Sequence, residues 1–162
     1  MTPEIETPSF RSRSSLISLG LFLLLVTGVA LFASMFEPGT WYEALEKPAW
    51  TPPDWLFAPT WGVLYILIAM AGWRVWVLDT NPGWNQAVQL WFLQLGLNAV
   101  WSWIFFGFHR TGFGLFVILV LWLSIAWFIL KSGDWVSSLL FLPYLAWISF
   151  ALSLNGAIFW LN

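Results

Sequence analysis

Residues Trp41 to Tyr65 read WYEALEKPAWTPPDWLFAPTWGVLY. The stretch holds Trp41, Trp50, Trp55 and Trp61, Tyr42 and Tyr65, and the prolines Pro48, Pro52, Pro53 and Pro59. It joins two long apolar runs, which places it at or just outside a membrane face. Proline fixes its own φ and restricts the residue before it, so the first part of this segment cannot be one continuous helix. It reads as a stiff, aromatic loop suited to cover the end of a helix bundle. Tryptophan and tyrosine also favour headgroup depth. A belt of aromatics, however, needs neither Pro52-Pro53 nor a fixed spacing.

The rest of the chain fits that reading. Of its 162 residues, 60% are hydrophobic and only 9% charged, against about 25% charged in a soluble domain. This composition describes one all-α integral membrane domain. The charges fall in clusters, and the apolar gaps between them are the spans. A net charge of −2 gives no reason to expect a nucleic-acid partner. With no cysteine there are no disulfides, thiolate metal sites or cysteine nucleophiles, and the single His109 cannot build a metal cluster alone.

In chain order, residues 1–13 are expected to be a disordered tail, followed by a single domain over 14–162. Five transmembrane helices are expected at about 14–35, 56–78, 84–108, 112–131 and 135–160, each near the length a bilayer requires. Asn81-Pro82-Gly83 is a turn signal. His109-Arg110-Thr111-Gly112 is short enough to make the third and fourth helices antiparallel neighbours. Pro143 lies inside the fifth and should loosen its hydrogen bonding. Arg11, Arg13, Arg74 and Lys131 fall on the side of the N-terminus, and Lys47 and Arg110 on the other. The positive-inside rule therefore puts the N-terminus in the cytoplasm, in what reads as a bacterial cell membrane. Arg74 and Lys131 are expected to snorkel to headgroups, and His109 to be a solvated loop residue.

Polar groups inside spans are expensive and so are informative. On the third helix Trp91, Gln94, Asn98, Trp101 and Phe105 share one face by their spacing. Tyr144, Trp147, Ala151, Leu154 and Asn155 follow nearly the same rhythm on the fifth, and Trp61, Tyr65, Ile68 and Gly72 on the second. If these stripes face inward, they line an apolar cavity with a few amides and phenols, as expected for a flat hydrophobic ligand. Two plainer roles compete. Asn and Gln in membranes often only hold helices together, and Tyr144 could bond backbone groups freed by Pro143.

The strings WYEALEKPAWTPPDWLFAPTWGVLY, QLGLNAVWSWIFFG and PYLAWISFALSLN together resemble the TspO/MBR family, the tryptophan-rich sensory proteins and the mitochondrial translocator protein. The resemblance implies a five-helix transmembrane bundle whose long first loop covers one end, acting as a homodimer. It implies porphyrins, protoporphyrin IX and heme, as ligands rather than as an obligatory cofactor. Carried over by position, the implied pocket is Tyr42 and Trp50 from the loop, Trp61 and Tyr65 from the second helix, and Gln94, Asn98, Trp101 and Phe105 from the third. The fifth helix adds Trp147, Ala151 and Asn155. No basic residue follows Tyr144. The cholesterol motif of the animal proteins is thus broken, which counts against sterol binding, although the reversed pattern Arg110-Phe113-Leu115 is present.

The reading that follows is a membrane receptor or transporter-like protein for porphyrins. Two alternatives stand beside it. One is light- and oxygen-dependent porphyrin degradation with Trp61 and Trp147 as oxidisable side chains. The other is a regulatory or stress-sensing protein acting through partners. No nucleophile, acid–base pair or metal site is apparent, so no conventional catalytic residue is assigned.

Overall fold

Ser12, Asn85 and Asp134 set where three of the long helices begin. Each places a side-chain oxygen on the backbone N–H three residues ahead: Ser15 at 3.2 Å, Val88 at 2.8 Å and Ser137 at 3.0 Å. These bonds satisfy donors that a helix start leaves open. In the computed structural model, which describes residues 10–36, 38–79 and 85–162, the elements are α1 (Arg13–Ser34), α2 (Thr40–Ala44), α3 (Phe57–Leu78), α4 (Gln86–Ser102), α5 (Thr111–Lys131) and α6 (Trp135–Leu161). A 3-10 turn, Asp54–Leu56, leads into α3. Pro59 falls in the first turn of α3, where its missing N–H costs nothing. No strand occurs among the described residues.

Five helices, α1, α3, α4, α5 and α6, are long and apolar enough to cross a membrane. Large side chains such as Leu24, Leu130, Phe113 and Phe116 point outward, as they must where lipid is the solvent. The chain is therefore an all-helical membrane-spanning bundle. The helices close a ring: α1 packs on α3 and α4, α3 on α6, α6 on α5, and α5 on α4. The core between them includes Trp91, Ile68, Ile118, Phe128, Phe141 and Tyr144, all fully buried. Gly72 permits the closest approach. A Cβ there would collide with the Trp91 indole and come within 2.8 Å of Phe22. The Trp91 ring thus lies across α3, its Nε1–H donating to the Ile68 carbonyl at 2.8 Å.

Several details differ from the sequence expectations. Residues 1–9 of the expected tail lie outside the described residues, but Phe10 packs edge-on against Trp73 at 5.3 Å. The expected turn at 81–83, and Trp84 as the start of the third span, also fall outside them. That span does not end as a regular helix. Trp103–Gly107 widens into a π turn, with the Phe108 N–H reaching the Trp103 carbonyl at 3.0 Å. His109 then takes φ 57°, a left-handed conformation that is uncommon without glycine. Arg74 does not snorkel. It forms a two-pronged ion pair with Asp134, at 2.8 and 3.1 Å, and caps the Phe10 ring at 5.0 Å. Asp134 thereby ties the end of α3 to the start of α6.

Candidate functional site

Loop one folds back over the end of the bundle where α1, α4 and α6 finish and α3 and α5 begin. Proline and aromatic packing hold it there. Trp41 stacks on His109 at 4.3 Å and meets Phe105 edge-on at 5.8 Å. Tyr42, buried on α2, packs against Phe105 and Phe106 at 6.3 and 5.6 Å. Lys47 lies over the Tyr42 ring at 4.7 Å while its Nζ donates to the carbonyls of Glu43 and Leu45. Trp50 meets Phe150 of α6 at 5.8 Å. Burial, with the Asp54 carboxylate adding to it, pushes the Tyr42 phenol above its ordinary value. His109 is therefore exposed but engaged, as the platform under Trp41.

Beneath the lid the three stripes turn inward and meet. Tyr65 on α3 donates its hydroxyl hydrogen to Asn98 Oδ1 on α4 at 2.9 Å. Asn98 Nδ2 donates onward to the Tyr144 hydroxyl on α6 at 3.0 Å. One amide thus joins three helices through two phenols. This is also where Tyr144 directs its hydroxyl, rather than to backbone loosened by Pro143. Aromatic rings flank the chain. Trp61 stacks on Tyr65 at 5.3 Å and presents edge contacts to Tyr144 at 6.2 Å and Trp147 at 6.5 Å.

A second amide sits nearer the lid. Trp101 Nε1–H donates to Asn155 Oδ1 at 3.2 Å, and Asn155 Nδ2 donates to the Thr111 carbonyl at 2.9 Å. Trp101 also stacks on Phe105 at 5.3 Å. Gln94, one turn before Asn98 on α4, is hydrogen-bonded to neither group. Its Nε2 donates to the Trp91 carbonyl at 2.8 Å, and its fully buried Oε1 has no partner among the described residues. An unpaired acceptor in such a place costs about 1–3 kcal/mol.

The implied pocket residues divide accordingly. Tyr65, Asn98 and Trp61, with Trp147 at the edge of Trp61, form one group. Tyr42, Trp101, Phe105, Ala151 and Asn155 line a small, partly open gap of about 30 Å³ beside α2. Trp50 is half exposed, with its ring against Phe150 of α6. Trp147 also lines an open, almost wholly apolar groove of about 770 Å³ between α3 and α6, with Trp55, Pro59, Val63, Pro143 and Phe150. Leu154 of the fifth-helix stripe lines the gap as well, as do Phe57, Phe106 and Ile158, which were not singled out from sequence. Their helical phase, beside Trp61, Phe105 and Asn155, could have pointed to them. Asn162 carried no such signal, yet its side chain binds Glu46 of the lid.

A five-span bundle closed by an aromatic lid over an amide-and-phenol core defines an integral membrane protein of receptor-like build. The TspO/MBR family profile matches residues 21–161, and the chain belongs to that family. It is similar to Protein CrtK of Rhodobacter capsulatus, 40% identical over 132 residues that cover 80% of this chain and 82% of that one. It is 39% identical to the tryptophan-rich protein TspO of Archaeoglobus fulgidus over 154 residues, 91% of this chain and 99% of the relative. With the human translocator protein it shares 34% identity over 123 residues, 71% and 70% of the two chains.

Proposed function

We propose that this protein is a membrane receptor for flat, hydrophobic ligands of the porphyrin class, protoporphyrin IX and heme, taken between the lid and the Tyr65–Asn98–Tyr144 chain. The observation that carries this reading is that chain itself: a buried amide held between two phenols, with the Trp61 and Trp147 rings beside it. Indole faces suit stacking on a macrocycle. Amide and phenol hydrogens suit propionates or ring nitrogens, and the unpaired Gln94 Oε1 suits a donor.

Ligand pockets usually measure about 300–1,000 Å³. The 30 Å³ gap beside α2 is far smaller, so entry requires the lid and the rings around Phe105 to part. Apparent affinity is then reduced by the fraction of molecules that are open. Movement of the lid on binding would also give the protein an output. Relatives named tryptophan-rich sensory protein favour such a sensory role. The orientation that fits best has the N-terminus in the cytoplasm and the lid outside. A cysteine placed at Thr40 should then react with an impermeant reagent added to intact cells. Pairing of two copies through the small residues Ala30 and Ser34 of α1 would account for a homodimer.

The test is protoporphyrin quenching of tryptophan fluorescence in Trp61→Phe, Trp147→Phe and Trp160→Phe. The first two should each lose quenching and affinity, by about 1 kcal/mol. Trp160, in the last turn of α6 but almost fully exposed, should not matter. Equal effects from all three would mean partitioning into surface aromatics and no defined site.

A further inference from the structure

A second cleft opens on the outside of the bundle at the lid end, between the start of α5 and the end of α6. It measures about 590 Å³ and is lined by His109, Arg110, Gly112, Phe113, Phe116 and Phe159, with Thr111. Its two ends differ in chemistry. Phe113, Phe116 and Phe159 are 68%, 66% and 49% exposed and form apolar walls along the lipid-facing surface. At the mouth, level with the helix ends, stands Arg110, also exposed. The Arg110 side chain makes no ion pair among the described residues; the ion pair they contain is Arg74–Asp134, at the opposite end of the bundle. No lining residue is acidic. Gly112 lets the Phe159 ring seat against the start of α5, since a Cβ there would come within 2.9 Å of that ring and push it aside.

We propose that this cleft binds a phospholipid with an anionic headgroup, its phosphate on Arg110 and one acyl chain along Phe113, Phe116 and Phe159. An exposed cation at the start of α5 complements that headgroup, and the aromatic walls complement the chain that hangs from it. The large groove between α3 and α6 has no comparable cation among its lining residues, so it does not discriminate headgroups. This site is separate from the amide–phenol core and does not depend on what binds there. Its neighbour His109 is the platform for Trp41, so an occupied cleft abuts the anchor of the lid.

The experiment is native mass spectrometry of the full chain with phosphatidylglycerol and phosphatidylcholine of identical acyl chains. Wild type should retain phosphatidylglycerol about fivefold better, the effect of one surface cation. Arg110→Gln should remove that preference, and Gly112→Val should weaken retention of both lipids. Lys131→Gln, an exposed cation at the other end, should leave the preference unchanged. Soluble glycerol phosphate at equal concentration should not compete. The proposal is overturned if Arg110→Gln keeps the preference, if Lys131→Gln abolishes it equally, or if glycerol phosphate displaces the lipid, which would indicate a site for a free anion. Unchanged melting of Arg110→Gln separates loss of the site from loss of the fold.

Discussion

Asn162 brackets the backbone of Glu46. Its Oδ1 accepts from the Glu46 N–H at 3.0 Å, and its Nδ2 donates to the Glu46 carbonyl at 3.0 Å and to the Ile158 carbonyl at 2.9 Å. A single side chain thereby fastens the middle of loop one to the end of α6. Each bond of this kind contributes about 1 kcal/mol net. Asn162→Ala should therefore loosen the lid without disturbing the helices. Hydrogen exchange at residues 42–47 should quicken roughly tenfold, and ligand should enter and leave faster. Unchanged exchange would mean that Trp41, Tyr42 and Trp50 hold the loop without help.

Gly72→Ala should damage the bundle from within. The added methyl occupies the space of the Trp91 indole, and Trp91 is fully buried with its Nε1–H committed to Ile68. Overpacking of this kind costs about 1–3 kcal/mol. The variant should melt earlier in detergent, and a further Trp91→Phe change should restore part of the loss. A fully stable Gly72→Ala would show that α3 and α4 have room to separate.

Gln94→Met removes the unpaired Oε1 at little change in volume. The variant should be more stable than wild type by about 1 kcal/mol, because a buried acceptor without a partner is lost, and it should bind protoporphyrin less well. Lower stability would show that the Gln94 bond to Trp91 outweighs the orphaned oxygen.

The Asp134 carboxylate is held well below the usual range, first by the hydrogen bond from Arg74 and then by those from Ser137. A depressed carboxylate contributes stability that is fully present above its unfolded value of about 4 and fades as pH falls through the folded value. Asp134→Asn should thus melt earlier than wild type at pH 7, and the gap should narrow below about pH 4. A gap that stays constant with pH would show that Asp134 acts only as the neutral cap of α6.

The spans and their inward faces were legible because both are local properties. Twenty apolar residues announce a helix in lipid, and a polar Asn98 between Trp91 and Trp101 marks a face by spacing alone. That loop one is not one continuous helix was legible from Pro48, Pro52 and Pro53. What stayed hidden depends on partners distant in sequence or on small departures from helical geometry. Glu46 and Asn162 are 116 positions apart. Arg74 and Asp134 meet only because α3 and α6 are neighbours in the ring. The π turn at Trp103–Gly107 has no signature in WIFFG. The small size of the gap beside Tyr42 depends on how Phe57, Phe105 and Phe106 interlock, which no periodicity specifies.

The central claim is that ligand is held at the Tyr65–Asn98–Tyr144 chain beneath the lid. Protoporphyrin titration of Asn98→Leu, alongside the gentler Tyr65→Phe, tests it most directly. Circular dichroism and melting establish that each variant is folded. Asn98→Leu should lose on the order of tenfold in affinity, about the effect of one buried hydrogen bond, and Tyr65→Phe should lose less. Folded variants that bind as wild type does would contradict the account, and would make Asn98 a fastening between α3, α4 and α6 with no part in recognition.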